Sequence, residues 1–357
     1  MLKLRRGVVV EVDPLTVEVD GERRRAWADE ALVGPVAVGD EVVVNTEALD
    51  LGLGSGGFDV VHVNLTRGLA GGGAADAHVI KLNYTSLQHP VEPVEVEGDP
   101  EEETPRPPVL VVSLHGHLAP AAWAAAQTTP GIRIGFVQGP GAALPGGLSR
   151  DVAELRERGL ICDHVTAGPA YGGEHEAITV AGALDAGARR LGWDAAVVGP
   201  GPGILGSATR LGHGGMAALD AAHAALALGL PTLVCPRLSS SDERPRHRGL
   251  SHHAAVVLEL LLGTVRVPVP EAELEGWPVL TSEAPEGGSA QAALDELIEI
   301  CRDRHDIAVQ RIDLDGYAHS GLPAQTMGRS IAEDPLFFAA PLAAGRALAL
   351  ACDPGVR

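Results

Sequence analysis

The sequence predicts an α/β protein: a small N-terminal all-β, barrel-like domain, then a Rossmann-like, mostly parallel sheet with helices on both faces. Three observations carry this. Short β-prone runs separated by turn pairs fill residues 1–66. After an acidic, proline-rich stretch, apolar strand-like runs alternate with helix-prone segments. Three consecutive strands of that second part end in glycine and proline. The expected division is a β-barrel-like domain over 1–90, a linker over 91–108 and the α/β domain over 109–357.

In the first part, Val8–Val12, Thr16–Val19, Arg25–Trp27 and Glu41–Asn45 are the strand candidates. Asp13-Pro14, Asp20-Gly21, Gly34-Pro35 and Gly39-Asp40 divide them. Asp20-Gly21 suits a two-residue hairpin, because both residue types tolerate positive φ. Gly52 to Gly57 spells GxGxxG, but the β-like Phe58–Val63 follows where a dinucleotide site needs a helix. It reads as a hairpin tip. Ala77–Tyr84 reads as one more strand. Residues 91–108, VEPVEVEGDPEEETPRPP, show no apolar periodicity and read as a solvated connector.

Beyond the linker, Val109–Leu114 is a continuous apolar run, as expected of a strand buried on both faces. Leu118–Gln127 follows as helix, Ile132–Val137 as strand and Asp151–Arg158 as helix. His164–Ala167 is the next strand, Glu174–Leu191 a long helix and Ala195–Val198 a strand. A helix from about Gly215 to Leu228, the strand Thr232–Cys235, a helix opened by Ser251 and the strand Val265–Val267 complete the alternation. Residues 268–290 read as a Pro-, Gly- and Glu-rich loop. Ala292–Arg304 is an amphipathic helix and Ile307–Ile312 a strand. Asp334-Pro335 supplies a cap and first-turn proline for the last helix.

Ligands of open parallel sheets bind outside the carboxyl ends of the strands. Gly139-Pro140-Gly141, Gly168-Pro169 and Gly199-Pro200-Gly201-Pro202-Gly203 all fall there. Gly199, Gly201 and Gly203 would let a ligand approach the backbone, and Arg210 would neutralise its charge. Gly201-x-Gly203-x-x-Gly206 matches the dinucleotide pattern literally, but the helix begins about ten residues late and two prolines remove donors. No lysine follows, so it is not a P-loop. The stretch Arg244-Pro-Arg-His-Arg-Gly-Leu-Ser-His-His253 is expected on the same rim. Arg246 and Arg248 suit phosphate or carboxylate, and Ser251 suits an N-cap. His115, His213 and His252 are the candidates for proton transfer, since imidazole titrates near neutrality. His115 and His117, two apart in an extended segment, could instead face a metal with His213, His252 or His253. No G-x-S-x-G follows a strand, which argues against an α/β-hydrolase.

Composition narrows the classes. The 357-residue chain is 45% hydrophobic but only 3% aromatic, so Val, Leu and Ala must build its core. A net charge of −20 disfavours a nucleic-acid partner. The four cysteines are scattered with no CxxC pair, which fits a reducing cytoplasm and offers no thiolate metal site. The start is too short in apolar residues for a signal peptide, and no stretch approaches a membrane span. No cofactor is identified, and a homo-oligomer is left open.

Taken together, VGDEVVVNTEALDLGLGSGGFDVVHVNLTRG, VVSLHGHLAP, VVGPGPGILGSATRLG and PRHRGLSHH resemble an uncharacterised, mainly actinobacterial family, domain of unknown function 3866. The resemblance implies a bacterial protein and carries over no activity, cofactor or site residue. The residues themselves lead to the expectation of a protein binding a small anionic ligand, phosphorylated compounds included, with a transferase or hydrolase as its enzymatic form. The alternatives are a non-catalytic metabolite-sensing or protein-interaction module, and a metal-dependent hydrolase using clustered histidines.

Overall fold

The computed structural model describes residues 1–53, 56–73, 77–95, 105–271 and 290–352. Most of the predicted linker and most of the predicted 268–290 loop lie outside them. The chain forms two compact units, residues 1–92 and 93–357.

In the first unit, β1 (Leu4–Val12), β2 (Leu15–Val19), β3 (Glu22–Trp27), β4 (Glu41–Asn45) and β5 (Asp59–Asn64) close a barrel in the order β1-β2-β3-β5-β4. The β3–β5 pair is parallel and the others antiparallel. Alternation places Val9, Val17, Val19, Val42, Val44 and Val61 inside. Asp20 and Gly21 both take positive φ, as the hairpin requires. Short helical turns α1 (Glu30–Val33) and α2 (Glu47–Asp50) join the later strands. Asp40, 1% exposed, accepts hydrogen bonds from Arg67 and Asn64 and so ties the ends of the barrel strands together. The strand predicted over Ala77–Tyr84 is shorter: only β6 (Val79–Lys81) is extended, paired with β7 (His89–Val91). Positive φ at Leu82 and Tyr84 ends it.

The second unit is an eight-stranded, all-parallel sheet. Its strands are β8 (Val109–Val111), β9 (Ile134–Gly139), β10 (Asp163–Ala167), β11 (His175–Ala177), β12 (Ala195–Pro200), β13 (Thr232–Val234), β16 (Arg266–Pro270) and β17 (Asp306–Gln310). Two two-residue strands, β14 (Leu238–Ser239) and β15 (Gly249–Leu250), pair on their own between β13 and β16. The sheet order is β11-β10-β9-β12-β8-β13-β16-β17. Helices α3 (Leu118–Thr128), α4 (Arg150–Glu157), α9 (Leu314–Ala318) and α10 (Pro335–Ala351) pack together on one face. Helices α5 (Val180–Ala186), α6 (Ala217–Ala227), α7 (His252–Leu260) and α8 (Ala290–Cys301) make the other layer. A last two-strand hairpin, β18 (Gln325–Thr326) with β19 (Arg329–Ser330), precedes α10. β8, β9 and β12 are buried along their whole length, which explains why their sequences are apolar without alternation.

The helix predicted over Glu174–Leu191 starts later than expected. Residues 175–177 are the edge strand β11, and α5 begins after the Thr179 cap. The glutamates that looked helical serve as acceptors instead. Glu176 takes the Thr166 hydroxyl and the Gly172 amide, and Glu174 takes Arg156. Pro93–Glu95, from the predicted linker, continue along this edge. The Val94 amide bonds the Glu176 carbonyl, and the Glu95 carboxylate accepts the Ile178 and Thr179 amides.

Candidate functional site

The chain leaves β8 for α3 on one face and leaves its neighbour β12 for α6 on the other. Between two such strands the loops part, and a crevice opens outside their carboxyl ends. A cavity of about 480 Å³ lies there. Leu114–Gly116 follow β8, Gly201–Ser207 follow β12, and Arg237, Arg244, Arg246 and His247 follow β13. Asp151 at the start of α4, His253, Gln325–Met327 and Phe337 complete the lining. The three main segments thus come from adjacent strands in the order β12-β8-β13.

One wall is cationic. Asp242, 1% exposed, receives Arg244 through two hydrogen bonds of 2.9 Å, Arg237 at 3.2 Å and Arg329 at 3.5 Å. Arg329 also pairs with the buried Asp334 at 3.1 Å, which in turn accepts Ser239 Oγ and the Ser240 amide. The guanidiniums hold the Asp242 carboxyl well below the usual carboxylate range despite its burial. Burial pushes Arg237 down to about 10, so it stays charged at neutral pH. Its Nε is a buried donor with no partner among the described residues. Arg246 is exposed at the cavity and has no ion-pair partner among the described residues.

Histidines form the second feature. Around the cavity's His253, the rings of His213, His247, His252 and His253 crowd together. His213 stacks on His253 with centroids 3.7 Å apart, and His252 lies 4.3 Å and His247 4.7 Å from His253. Burial first, then neighbouring histidines and Arg237, lower the affinity of His253 for a proton to a pKa of about 2; burial and Arg237 take His247 to about 3. His213 and His252 are lowered too, chiefly by burial. All four imidazoles are therefore neutral at pH 7. One ring nitrogen from each of His213, His252 and His253 lies within 4.8 Å of the other two, a set able to hold a metal ion.

The structure brings His115, Gly201, Gly203 and Arg246 of the predicted residues into the cavity lining. His115 presents its ring with both nitrogens engaged: Nδ1 donates to the Pro200 carbonyl, and Nε2 accepts the Ser149 hydroxyl at 2.6 Å. Gly201 packs where a Cβ would strike the Ala143 carbonyl, whereas Gly203 has positive φ and open space beside it. Gly199 lies inside the sheet, where a Cβ would strike Val112. Arg210 pairs with Glu259 at the surface, and Arg248 reaches the Asp242 carbonyl. Ser251 is buried as the α7 cap, bonded to the His253 amide and to His247 Nδ1. His213 and His252 stand in the histidine cluster behind His253 rather than on the cavity wall. His117 does not join them: it is fully buried beside the Cys235 thiol, 3.6 Å away. Burial pushes that thiol far up, which makes Cys235 inert as a nucleophile.

Sequence reasoning missed Arg237, Asp151 and the Asp242 carboxylate. Arg237 could have been found, because it stands just past the carboxyl end of β13, where an arginine meets the crevice. Nothing in the sequence marks Asp242 as the residue that gathers Arg237, Arg244 and Arg329, since Arg329 comes from far along the chain.

A family model described as protein of unknown function (DUF3866) matches residues 25–345. No curated protein matches the chain, and no solved structure does. No helix among the described residues is long and apolar enough to cross a membrane.

Proposed function

The chain belongs to the DUF3866 family, and from its site we propose that it binds a small anionic ligand, such as a phosphorylated or carboxylate metabolite, in the cavity at the carboxyl ends of β12, β8 and β13. One observation carries this reading: a guanidinium only 3% exposed, Arg237, lines the cavity with an unpartnered Nε. A buried donor without a partner costs roughly 1–3 kcal/mol, more when charged. An anion in the cavity would meet the Arg237 charge, although Nε itself lies beneath the surface that water reaches. Arg237, Arg244 and Arg246 face it against the single lining carboxylate Asp151. In a chain of net charge −20, so local an excess of arginine is a feature of the site and not of the composition.

Asp242 fixes Arg244 through Nε and Nη2 and Arg237 through Nη2, so both would offer their charge and remaining donors to an anion without reorganisation. Arg246 is the one lining arginine free to move onto the ligand. His247 and His253 add neutral imidazoles to the same wall, with proton affinities so low that they serve as hydrogen-bonding groups and not as general bases. A hydrolase or transferase acting on that anion is the enzymatic form of the reading.

The test is calorimetry with inorganic phosphate, pyrophosphate, a nucleoside monophosphate and citrate. At least one should saturate at one per chain. Arg246→Ala should weaken it about 10- to 100-fold, the range of one charge-assisted contact. Arg210→Ala, which removes an exposed arginine outside the cavity, should bind as wild type. Equal affinity in Arg246→Ala and wild type would remove the assignment.

A further inference from the structure

We propose that His213, His252 and His253 form a three-histidine site for a divalent transition metal of the zinc class. The three rings come from two places: His213 ends the loop after β12, and the other two open α7. Their candidate ligand atoms already lie within 4.8 Å of one another. A tetrahedral ion with metal–nitrogen bonds of about 2.0–2.1 Å needs them roughly 3.4 Å apart, and the stacked His213 and His253 rings must swing apart for their in-plane lone pairs to converge on it.

Hydrogen bonding says which nitrogen is free. His213 Nε2 lies 3.1 Å from the Arg210 carbonyl, and His252 Nδ1 lies 3.3 Å from the Arg246 carbonyl. A carbonyl only accepts, so each of those nitrogens carries the proton. The bare lone pairs are then His213 Nδ1 and His252 Nε2. Both are buried with no partner among the described residues, and so is His253 Nδ1. His213 and His253 are 7% and 4% exposed, so water does not serve these atoms from outside. Two clustered lone pairs that no donor among the described residues fills, with the unpartnered His253 Nδ1 beside them, are an unfavourable arrangement for a plain protein core. It is an arrangement a metal can use, with His213 and His252 each oriented by a backbone carbonyl on the other nitrogen.

The chemistry of the set selects the ion. It contains no carboxylate, so magnesium and calcium are poorly served, and no thiolate, so copper(I) and iron–sulfur chemistry are too. The N-terminus of α7 and the charges of Arg237, Arg244 and Arg246 oppose a cation here. A helix terminus is a small effect beside the binding free energy of a zinc site. The arginines matter more, and the anion of the preceding section would screen them. That coupling rests on the anion reading; the metal site itself does not. Three protein ligands would leave the fourth position of a tetrahedral ion open.

Chelator-stripped full-length protein would be titrated with zinc and with cobalt(II), followed by calorimetry, elemental analysis and the visible spectrum of the cobalt form. One ion per chain is expected, with the intense visible bands of tetrahedral cobalt. His252→Gln, at a half-buried position that should fold, and His213→Gln should each weaken binding on the order of 100-fold. His319→Gln, an exposed surface histidine, should not change it. Arg246→Ala should keep the metal while losing phosphate, which separates failure of the anion reading from failure of this one. Absence of stoichiometric uptake by wild type, or wild-type affinity in both ligand variants, overturns the site.

Discussion

Asp242 is the residue on which the cavity wall depends. Its carboxylate is almost wholly buried and meets three guanidiniums. Asp242→Ala would leave Arg237 as a buried charge without its counter-ion. Breaking such a pair from one side typically costs about 3–5 kcal/mol. Urea unfolding should show that loss, and Asp242→Asn, which keeps acceptor capacity, should lose less. A variant as stable as wild type would mean that Arg237 finds water or another partner. At this scale the sequence was only partly legible. Arg246 and the histidine pair were visible as a dense cationic stretch in an acidic chain. Arg248 looked equivalent in sequence, yet its side chain turns to the Asp242 carbonyl, because neighbouring residues of an irregular loop point in different directions.

The strands were legible wherever one-sided or two-sided burial wrote itself into a period. In β2 the buried Val17 and Val19 flank the exposed Glu18, and β8 is apolar throughout. β11 was not legible, because three residues on a sheet edge have no room to show a period, and a helix-prone composition masked them. The contact between α10 and α3 was also invisible. Gly345 sits where a Cβ would strike the backbone of Ala121, so these two helices approach to backbone distance. Gly345→Ala should therefore destabilise the protein although alanine is the better helix former. Overpacking of this kind costs about 1–3 kcal/mol against a propensity gain of about 1 kcal/mol. A lower melting temperature for Gly345→Ala is the expected result, and an increase would show that the helices can separate freely.

The whole molecule carries an acid sensitivity that no single histidine reveals. Seven histidines of the second unit have lowered pKa values, all with burial as the largest cause. His117 lies near 3 and His164 near 4 in the folded state. Unfolded, each would bind a proton near pH 6.5. Between those values the unfolded chain holds more protons than the folded one, so stability rises with pH and falls as the solution is acidified from about 6.5. For the fully buried His117 this amounts to about 1.4 kcal/mol per pH unit, or about 2 kcal/mol by pH 5. Metal-free protein should thus lose melting temperature between pH 6.5 and 5, before most carboxylates titrate. His117→Gln should flatten the slope. A flat wild-type profile across that range would contradict the buried, neutral state of these rings.

The sequence by itself determined the class of fold and pointed to the rim on which the cavity lies. Periodicity, turn pairs and glycine–proline strand ends are local signals, and local geometry is what a sequence states directly. Only the tertiary structure decided which side chains share a cavity. Strand order set β12, β8 and β13 side by side, and their loops then brought Arg237, Arg244 and Arg246 to one wall and His213 against α7. That order depends on how the helices divide between two faces of a sheet, a competition among many weak packing contacts that no single stretch of chain encodes.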